Sequence, residues 1–202
     1  MTSLAKSAAL LAKTLPPSAA GEGIRGAIET AERRVSGLMQ FVDGYREIAC
    51  SPTIQLETFS VSVLLRDLQL LLVAEWPSEK VPLEVRVVPL DQQMRADRQL
   101  LEHVLINLLR NAAQATVGYC PTPVVVASAG MAHGGRTLIN IEDNGPGIAE
   151  TIRSDVFLPF FTTKAEGSGI GLSLARQIVL AHGGAIRVET SVMGGACLRV
   201  VV

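Results

Sequence analysis

The amino-acid sequence predicts an α/β protein, a two-layer α/β sandwich preceded by an α-helical hairpin. Two patterns carry this prediction. Apolar residues recur at helical spacing throughout residues 1–49. Beyond Ser51-Pro52, short β-rich segments alternate with helical ones, an order typical of a sheet backed by helices. We therefore divide the chain into a hairpin, residues 1–50, and an α/β domain, residues 51–202.

Composition excludes several classes of function. The formal net charge is −1 and no block of Lys or Arg stands out, which argues against a nucleic-acid surface. The three cysteines are scattered and form no CxxC pair, as expected of buried thiols in a reducing compartment. No apolar run reaches the roughly 18 residues that span a bilayer, and the first residues lack the pattern of a signal peptide. We expect a cytoplasmic chain without membrane contact of its own, whether or not it is the soluble end of a membrane protein.

The predicted hairpin carries a heptad pattern in its second arm. The apolar positions, spaced alternately four and three residues apart, are Ile24, Ile28, Ala31, Val35, Leu38, Val42 and Tyr45. Pro16, Pro17 and Gly21 separate the two arms. A strict repeat of 3.5 residues favours a dimeric four-helix bundle. The alternative is an amphipathic helix that packs on its own domain.

The α/β domain is predicted as a mixed sheet of about five strands backed by about three helices. The predicted strands are Leu56–Phe59, Pro82–Val88, Pro123–Ala129, Thr137–Asp143, Ala185–Thr190 and Ala196–Val202. The predicted helices run from a Ser60 or Ser62 cap to Trp76, from an Asp97 cap to about Thr116, and from Ser168 to His182.

Two asparagines lie one turn apart on the helix that follows Asp97. Asn107 and Asn111 occupy a face separate from the apolar one. Amide oxygens at this spacing suit a hard cation such as Mg²⁺, which needs only one or two protein ligands when phosphates and water complete its shell. The alternative is that both side chains merely face solvent.

A carboxylate and two glycines follow the strand that ends at Asp143. Its carboxylate can accept a hydrogen bond from the exocyclic amine of adenine, whereas guanine presents a carbonyl there. Gly145 and Gly147 let the backbone approach a flat base. In isolation, an Asp-Asn-Gly-Pro-Gly sequence is equally typical of an ordinary turn.

A third glycine-rich segment precedes a helix. Gly167-Ser-Gly169-Ile-Gly171-Leu172 exposes backbone N–H groups at a helix N-terminus, where phosphates bind. It is no Rossmann fingerprint, because no strand precedes it. Lys164 is placed to reach a γ-phosphate, although a solvated loop lysine is an equal alternative. We expect the three phenylalanines upstream to anchor this segment on the core; they are Phe157, Phe160 and Phe161.

In this order, the motifs resemble the four nucleotide-binding boxes of the GHKL (Bergerat) ATP-binding fold. Sensor histidine kinases, gyrase B, Hsp90 and MutL share that fold, and the resemblance covers residues 50–202. It implies ATP and Mg²⁺ as cofactors, with Asn111 as the metal ligand. The residues implied in nucleotide binding are Asn107, Arg110, Asn111, Asp143, Gly145, Gly147, Lys164, Gly167, Gly169, Gly171 and Leu172.

Position 107 separates the branches of this superfamily. The resemblance implies that ATPases carry a glutamate general base there, but a carboxamide cannot usefully accept a proton near neutral pH. The chain therefore resembles the ATP-binding catalytic part of a two-component histidine kinase, which transfers the γ-phosphate to a histidine and thence to a response regulator. The alternatives are a GHKL-type ATPase module and a nucleotide-binding, non-catalytic regulator.

The hairpin resembles a dimerisation and histidine-phosphotransfer domain, which implies a homodimer. Residues 22–49 are similar to the second helix of a nitrogen-regulation type sensor kinase, and residues 1–7 to the stretch that follows the phosphoacceptor motif. That motif is absent, so we expect a fragment without the acceptor. The three histidines of the chain, His103, His133 and His182, lie outside the hairpin, and we expect none to be an acceptor.

Overall fold

The computed structural model describes Gly26, Ala31, Val35 and residues 54–75, 81–164 and 167–202. Gly26, Ala31 and Val35 are helical and exposed. The rest of the predicted hairpin and the boundary at residue 50 lie outside the described residues. The heptad seam, the two-domain division and the nitrogen-regulation type therefore stay predictions.

The described elements follow the predicted order closely. They are β1 (Glu57–Ser60), α1 (Val61–Glu75), β2 (Leu83–Val87), β3 (Gln93–Ala96), α2 (Arg98–Thr116), β4 (Val125–Met131), β5 (Thr137–Asp143), α3 (Gly171–Ala181), β6 (Ala185–Thr190) and β7 (Ala196–Val201). Short 3₁₀ turns lie at His133–Gly135, Glu150–Ile152 and Asp155–Phe157. Within this part of the chain, no helix is long and apolar enough to cross a membrane.

The main sheet is mixed and has five strands in the order β2-β4-β5-β7-β6. Only β2 and β4 run parallel; the other neighbouring pairs are antiparallel. A separate antiparallel pair joins β1 to β3, with Phe59 opposite Met94. The predicted α/β sandwich is confirmed. Strand β3 was not predicted, because its sequence Gln-Met-Arg-Ala has no β-branched residue and it forms through its pairing with β1.

The helices pack on one face of the sheet and enclose the core. Its largest fully buried side chains come from α1, α2, β4 and β5: Leu64, Leu65, Leu72, Leu101, Leu105, Leu108, Leu109, Ile139, Ile141, Val61, Val104 and Val125. Each contributes about 1.5–3 kcal/mol by removal from water. Along β5, burial alternates strictly, so that Thr137, Ile139, Ile141 and Asp143 all face the helices. This alternation places a carboxylate at the end of a central strand, on the helix side.

Asp97 and His182 fix the ends of two helices. Asp97 caps α2 as predicted, since its Oδ1 accepts from the N–H of Leu100 at 3.1 Å. The backbone N–H of Asp97 donates to Nε2 of His182 at 3.0 Å. Nδ1 of His182 therefore carries the proton, and it donates to the carbonyl of Ile178 at 2.8 Å. Both ring nitrogens are engaged, so His182 joins the start of α2 to the end of α3.

Two predictions about the segment before α3 are wrong. The helix begins at Gly171 and not at Ser168, because Gly169 has a φ of +71° and its carbonyl accepts from the N–H of Phe160 at 2.9 Å. Phe160 itself is 53% exposed and does not anchor the segment on the core. Phe157 is buried and Phe161 packs partly against the core, so these two phenylalanines provide the anchor.

The described cysteines are free thiols. Cys197 is buried and Cys120 is half-buried. Burial, with the charge of Glu142 as a second cause, raises the pKa of Cys197 to about 11. The Cys197 thiol is therefore protonated and unreactive at neutral pH.

Candidate nucleotide-binding site

One cavity of about 660 Å³ brings the separated motifs together. Its walls are α2, the turn after β5, the segment before α3 and the first turn of α3. The predicted residues that line it are Asn107, Asn111, Asp143, Gly147, Lys164, Gly167, Gly169, Gly171 and Leu172. Gly145 lies behind Asp143 and does not line the cavity. Arg110 is exposed on α2 and also does not line it.

The Asp143 carboxylate is buried at the wall of the cavity. Backbone hydrogen bonds hold one of its oxygens, and the other oxygen is left for a ligand. The Asp143 side chain is 3% exposed, and Oδ1 accepts from the N–H groups of Gly145 at 2.9 Å and Ala196 at 3.1 Å. Oδ2 receives no hydrogen bond from the residues that the structure describes. Burial raises the pKa of Asp143, while the two backbone hydrogen bonds and the charge of Lys164 oppose that rise. The free oxygen is placed to accept from a ligand donor.

Glycines pack tightly around this carboxylate. A Cβ on Gly145 would lie 2.8 Å from the carbonyl oxygen of Ala115 and 3.0 Å from Oδ1 of Asp143. A Cβ on Gly195 would collide with Oδ1 of Asp143 and the nitrogen of Gly145. In the sequence, Gly194-Gly195 predicts only a hairpin turn between the last two strands. Gly195 lies against Asp143 because β7 pairs with β5, and the order of the strands along the chain does not predict that pairing.

Apolar side chains line the cavity beside Asp143. They are Ile148, Ile152, Val156, Leu174 and Leu198. Together with the single presented carboxylate oxygen, they form the combination that holds a flat heterocycle: apolar walls and one orienting polar group. No pattern in the sequence distinguishes these residues, because apolar side chains of this type are typical of a buried core.

The first turn of α3 faces the two asparagines of α2. A Cβ on Gly171 would collide with the amide of Asn107, so glycine permits this close approach. Nδ2 of Asn107 is buried and has no hydrogen-bond partner within the described part of the chain. The preceding residue, Ile170, provides no side-chain cap to α3. A buried amide donor opposite a helix N-terminus without a side-chain cap fits an anion with several acceptor oxygens, such as a phosphate chain.

Lys164 reaches across the cavity to α2. Its ammonium nitrogen donates to Oδ1 of Asn111 at 3.0 Å and to Oε1 of Gln114 at 2.8 Å. The side chain as a whole is exposed, but its end is turned into the cleft, where desolvation lowers the pKa of Lys164 against the attraction of Asp143. Oδ1 of Asn111 thus already accepts a cationic group, which fits the chemistry of a magnesium ligand. Gln114 was not identified from sequence.

Comparisons with known proteins agree with this geometry. The model of the histidine kinase-, DNA gyrase B- and HSP90-like ATPases matches residues 96–202, and the chain belongs to that family. Sensor protein FixL of Bradyrhizobium diazoefficiens is 29% identical over 176 residues, which cover 87% of this chain and 35% of FixL. The signal transduction histidine-protein kinase AtoS of Escherichia coli is 42% identical over 97 residues, which cover 48% of this chain and 16% of AtoS.

Solved structures of histidine kinases also resemble this chain. The nucleotide-free catalytic domain of histidine kinase ThkA is 27% identical, with a TM-score of 0.66 over 74% of this chain and 95% of that domain. The fold is therefore that of histidine kinase catalytic domains. The chain spans about a third or less of the length of FixL and AtoS, so it corresponds to one part of much longer proteins.

Proposed function

We propose that this chain is the ATP-binding catalytic part of a two-component sensor histidine kinase. In the proposed reaction, the γ-phosphate of ATP passes to a histidine on the helical bundle and then to a response regulator. The observation that carries the proposal is the amide of Asn107, which faces the first turn of α3 and whose buried Nδ2 has no hydrogen-bond partner among the described residues. An amide at that point supports phosphoryl transfer to another group, because it has no basic oxygen with which to activate water.

Base selection is assigned to Asp143. Its presented oxygen accepts from the amine of adenine, while guanine would bring a carbonyl against a buried carboxylate. The apolar walls hold the ring. Gly145 and Gly147 allow the turn to pass close to both the carboxylate and the base, and Gly147 needs its φ of +74°.

Phosphate binding is assigned to the other end of the cavity. The backbone N–H groups of residues 168–172 and the amide of Asn107 donate to the phosphate oxygens, and the helix dipole of α3 adds favourable potential. The N–H of Gly167 already donates to the carbonyl of Lys164 at 3.2 Å, so Gly167 lines this end of the cavity without donating. Asn111 would hold Mg²⁺ through Oδ1, and the ion supplies charge neutralisation on the phosphates when bound. We include Arg110 among the proposed nucleotide-binding residues as a cation of α2 near the phosphates. Its side chain does not line the cavity.

We assign dimerisation to the predicted helical hairpin. Residues 1–50 form part of a dimerisation and phosphotransfer domain, and residues 51–202 form the catalytic domain. The heptad of residues 24–45 supports a homodimer, and the kinase class supports a receiver domain as the partner. We place the chain in the cytoplasm, consistent with its scattered cysteines. None of its three histidines lies in residues 1–50, so the acceptor must come from elsewhere.

Phosphotransfer to a separate acceptor tests the proposal. The full chain is incubated with [γ-³²P]ATP, Mg²⁺ and a histidine-containing helical fragment of a related kinase. We expect acid-labile label on the fragment and none on the chain itself. Steady-state phosphate release without an acceptor would favour the ATPase alternative. Nucleotide binding without either reaction, across several acceptor fragments, would favour the non-catalytic regulator.

A further inference from the structure

We propose that Lys164 and magnesium compete for one oxygen, Oδ1 of Asn111, and that Gln114 holds Lys164 in place while the nucleotide is absent. Lys164 would then be a built-in occupant of the metal position. Gln114 would be a positioning residue that acts through Lys164. This inference rests on the proposed function, because it concerns the regulation of the same nucleotide site.

Two side chains of α2 hold the ammonium group of Lys164. Asn111 and Gln114 lie three residues apart on α2, so their side chains project from the same helical face. The ammonium group donates to both side-chain oxygens, at 3.0 Å and 2.8 Å. It comes from a segment 53 and 50 residues away in the chain. Two acceptors from one helix therefore specify one docking point for a distant cation.

The orientation of the Asn111 amide supports this docking. Its Nδ2 points to Oδ1 of Asn107 at 3.5 Å, the long limit of a hydrogen bond. This orientation leaves Oδ1 of Asn111 directed at Lys164. The same oxygen is the atom that would ligate the metal, so the docked lysine and the proposed magnesium ligand share one acceptor.

Lys164 and magnesium cannot contact Oδ1 of Asn111 at the same time. Magnesium binds oxygen at about 2.0–2.1 Å in a nearly regular octahedron. An ammonium group within hydrogen-bond distance of the same oxygen would face a divalent ion at short range, where like charges in a partly desolvated cleft repel strongly. Binding of the metal must therefore release Lys164 from Asn111. The released lysine is then available to the phosphate oxygens.

ADP binding in a magnesium titration tests the competition. ADP is used because it lacks the γ-phosphate, the group that Lys164 would contact after release. Calorimetry gives the ADP affinity at each magnesium concentration, and the midpoint of that dependence is compared between variants. We expect Lys164→Met to lower the midpoint by about tenfold, the effect of removing one hydrogen bond of a charged group.

Gln114→Leu distinguishes the loss of the Lys164–Gln114 hydrogen bond from the loss of the Lys164 charge. It leaves Lys164 and the net charge unchanged but removes one of the two acceptors, so we expect the midpoint to fall several-fold. The double variant should match Lys164→Met alone, because Gln114 acts only through the lysine. Arg187→Met is the matched control. It removes one exposed cation from β6, away from the cavity, and should leave the midpoint unchanged.

The outcomes distinguish the two proposals. If the unmodified chain binds ADP in a magnesium-dependent way but Lys164→Met leaves or raises the midpoint, the competition is refuted and the nucleotide site stands. If Lys164→Met lowers the midpoint but Gln114→Leu does not, long-range charge explains the effect and the docking is refuted. If the unmodified chain binds no nucleotide, the proposed function itself fails. Lys164 and Gln114 are exposed, so these variants should fold.

Discussion

The ring of His182 bridges the start of α2 and the end of α3, through the 3.0 Å hydrogen bond that it accepts from the N–H of Asp97. The two residues lie 85 positions apart in sequence. Because α2 carries Asn107 and Asn111 and the first turn of α3 lies against Asn107, this bond helps to set the distance between two walls of the cavity.

Replacing His182 should therefore destabilise the fold. His182→Ala leaves the N–H of Asp97 without its acceptor, which should lower the free energy of unfolding by about 1–3 kcal/mol. Urea unfolding followed by circular dichroism measures the change. His103→Ala is the matched control, since His103 is exposed on α2 and should unfold like the unmodified chain. Equal stability of the two variants would mean that the bond contributes nothing.

Asp143→Asn should weaken nucleotide binding but stabilise the nucleotide-free protein. The amide can still accept from Gly145 and Ala196 through Oδ1, but it presents an N–H where the adenine amine donates. ATP affinity should fall by about 1–3 kcal/mol, or roughly 5- to 150-fold, in calorimetry. Preference for ATP over GTP should fall with it, and equal binding of both nucleotides by the unmodified chain would contradict the assignment.

The stability effect of this variant depends on pH. Burial raises the pKa of Asp143 in the folded state, so ionisation of the carboxyl group opposes folding above that pKa. This unfavourable contribution is fully present above the folded-state pKa and is lost as the pH falls through that pKa toward the unfolded-state pKa. Asp143→Asn should thus raise the melting temperature at pH 7, and the gain should shrink toward acid pH. A gain that grows on acidification would show that burial does not control this group.

Asn111→Ala should reduce only the magnesium-dependent part of nucleotide affinity. The side chain meets the cavity and not the core, so the fold should persist. In magnesium, ADP affinity should fall by about 1–3 kcal/mol, the range for loss of a charged-group contact. In EDTA, it should change little. Equal losses under both conditions would exclude Asn111 as the metal ligand.

Gly171→Ala should disrupt phosphate binding through Asn107. The new methyl group would collide with the Asn107 amide and force it away from the first turn of α3. We expect at least a tenfold loss of ATP affinity, the effect of losing one hydrogen bond to a charged group. Gly130→Ala in β4 is the control, because its Cβ would meet only the carbonyl of Val88 at 3.4 Å. Normal ATP binding by Gly171→Ala would disprove the role of this contact.

The chain should dimerise through residues 24–45. Replacing Val35 and Leu38 with glutamate would place charges at the heptad seam, which is strongly unfavourable in a buried interface. Light scattering should show a dimer for the unmodified chain and a monomer for the double variant. An unmodified chain that is monomeric at high micromolar concentration would exclude the coiled-coil interface.

Much of the fold was predictable because its signals are local. The Asp97 cap acts within a few residues of itself, and so does Gly183, whose φ of +70° directly follows the last turn of α3. Features that depend on distant pairing escaped prediction. Strand β3 forms against β1, Gln114 is recognised by a lysine 50 residues away, and Gly195 matters because β7 lies beside β5. Phe160 looked like an anchor by residue type, but its φ of +67° turns the chain and leaves it exposed.

The anchoring of Asp143 by backbone N–H groups has a consequence for how this site tolerates sequence drift. At position 196 the chain contributes a main-chain donor and not a side chain. Any small residue there supplies the same N–H, and proline alone lacks it. The orientation of the carboxylate therefore depends on the alignment of β5 with β7 and not on which small residue stands at position 196.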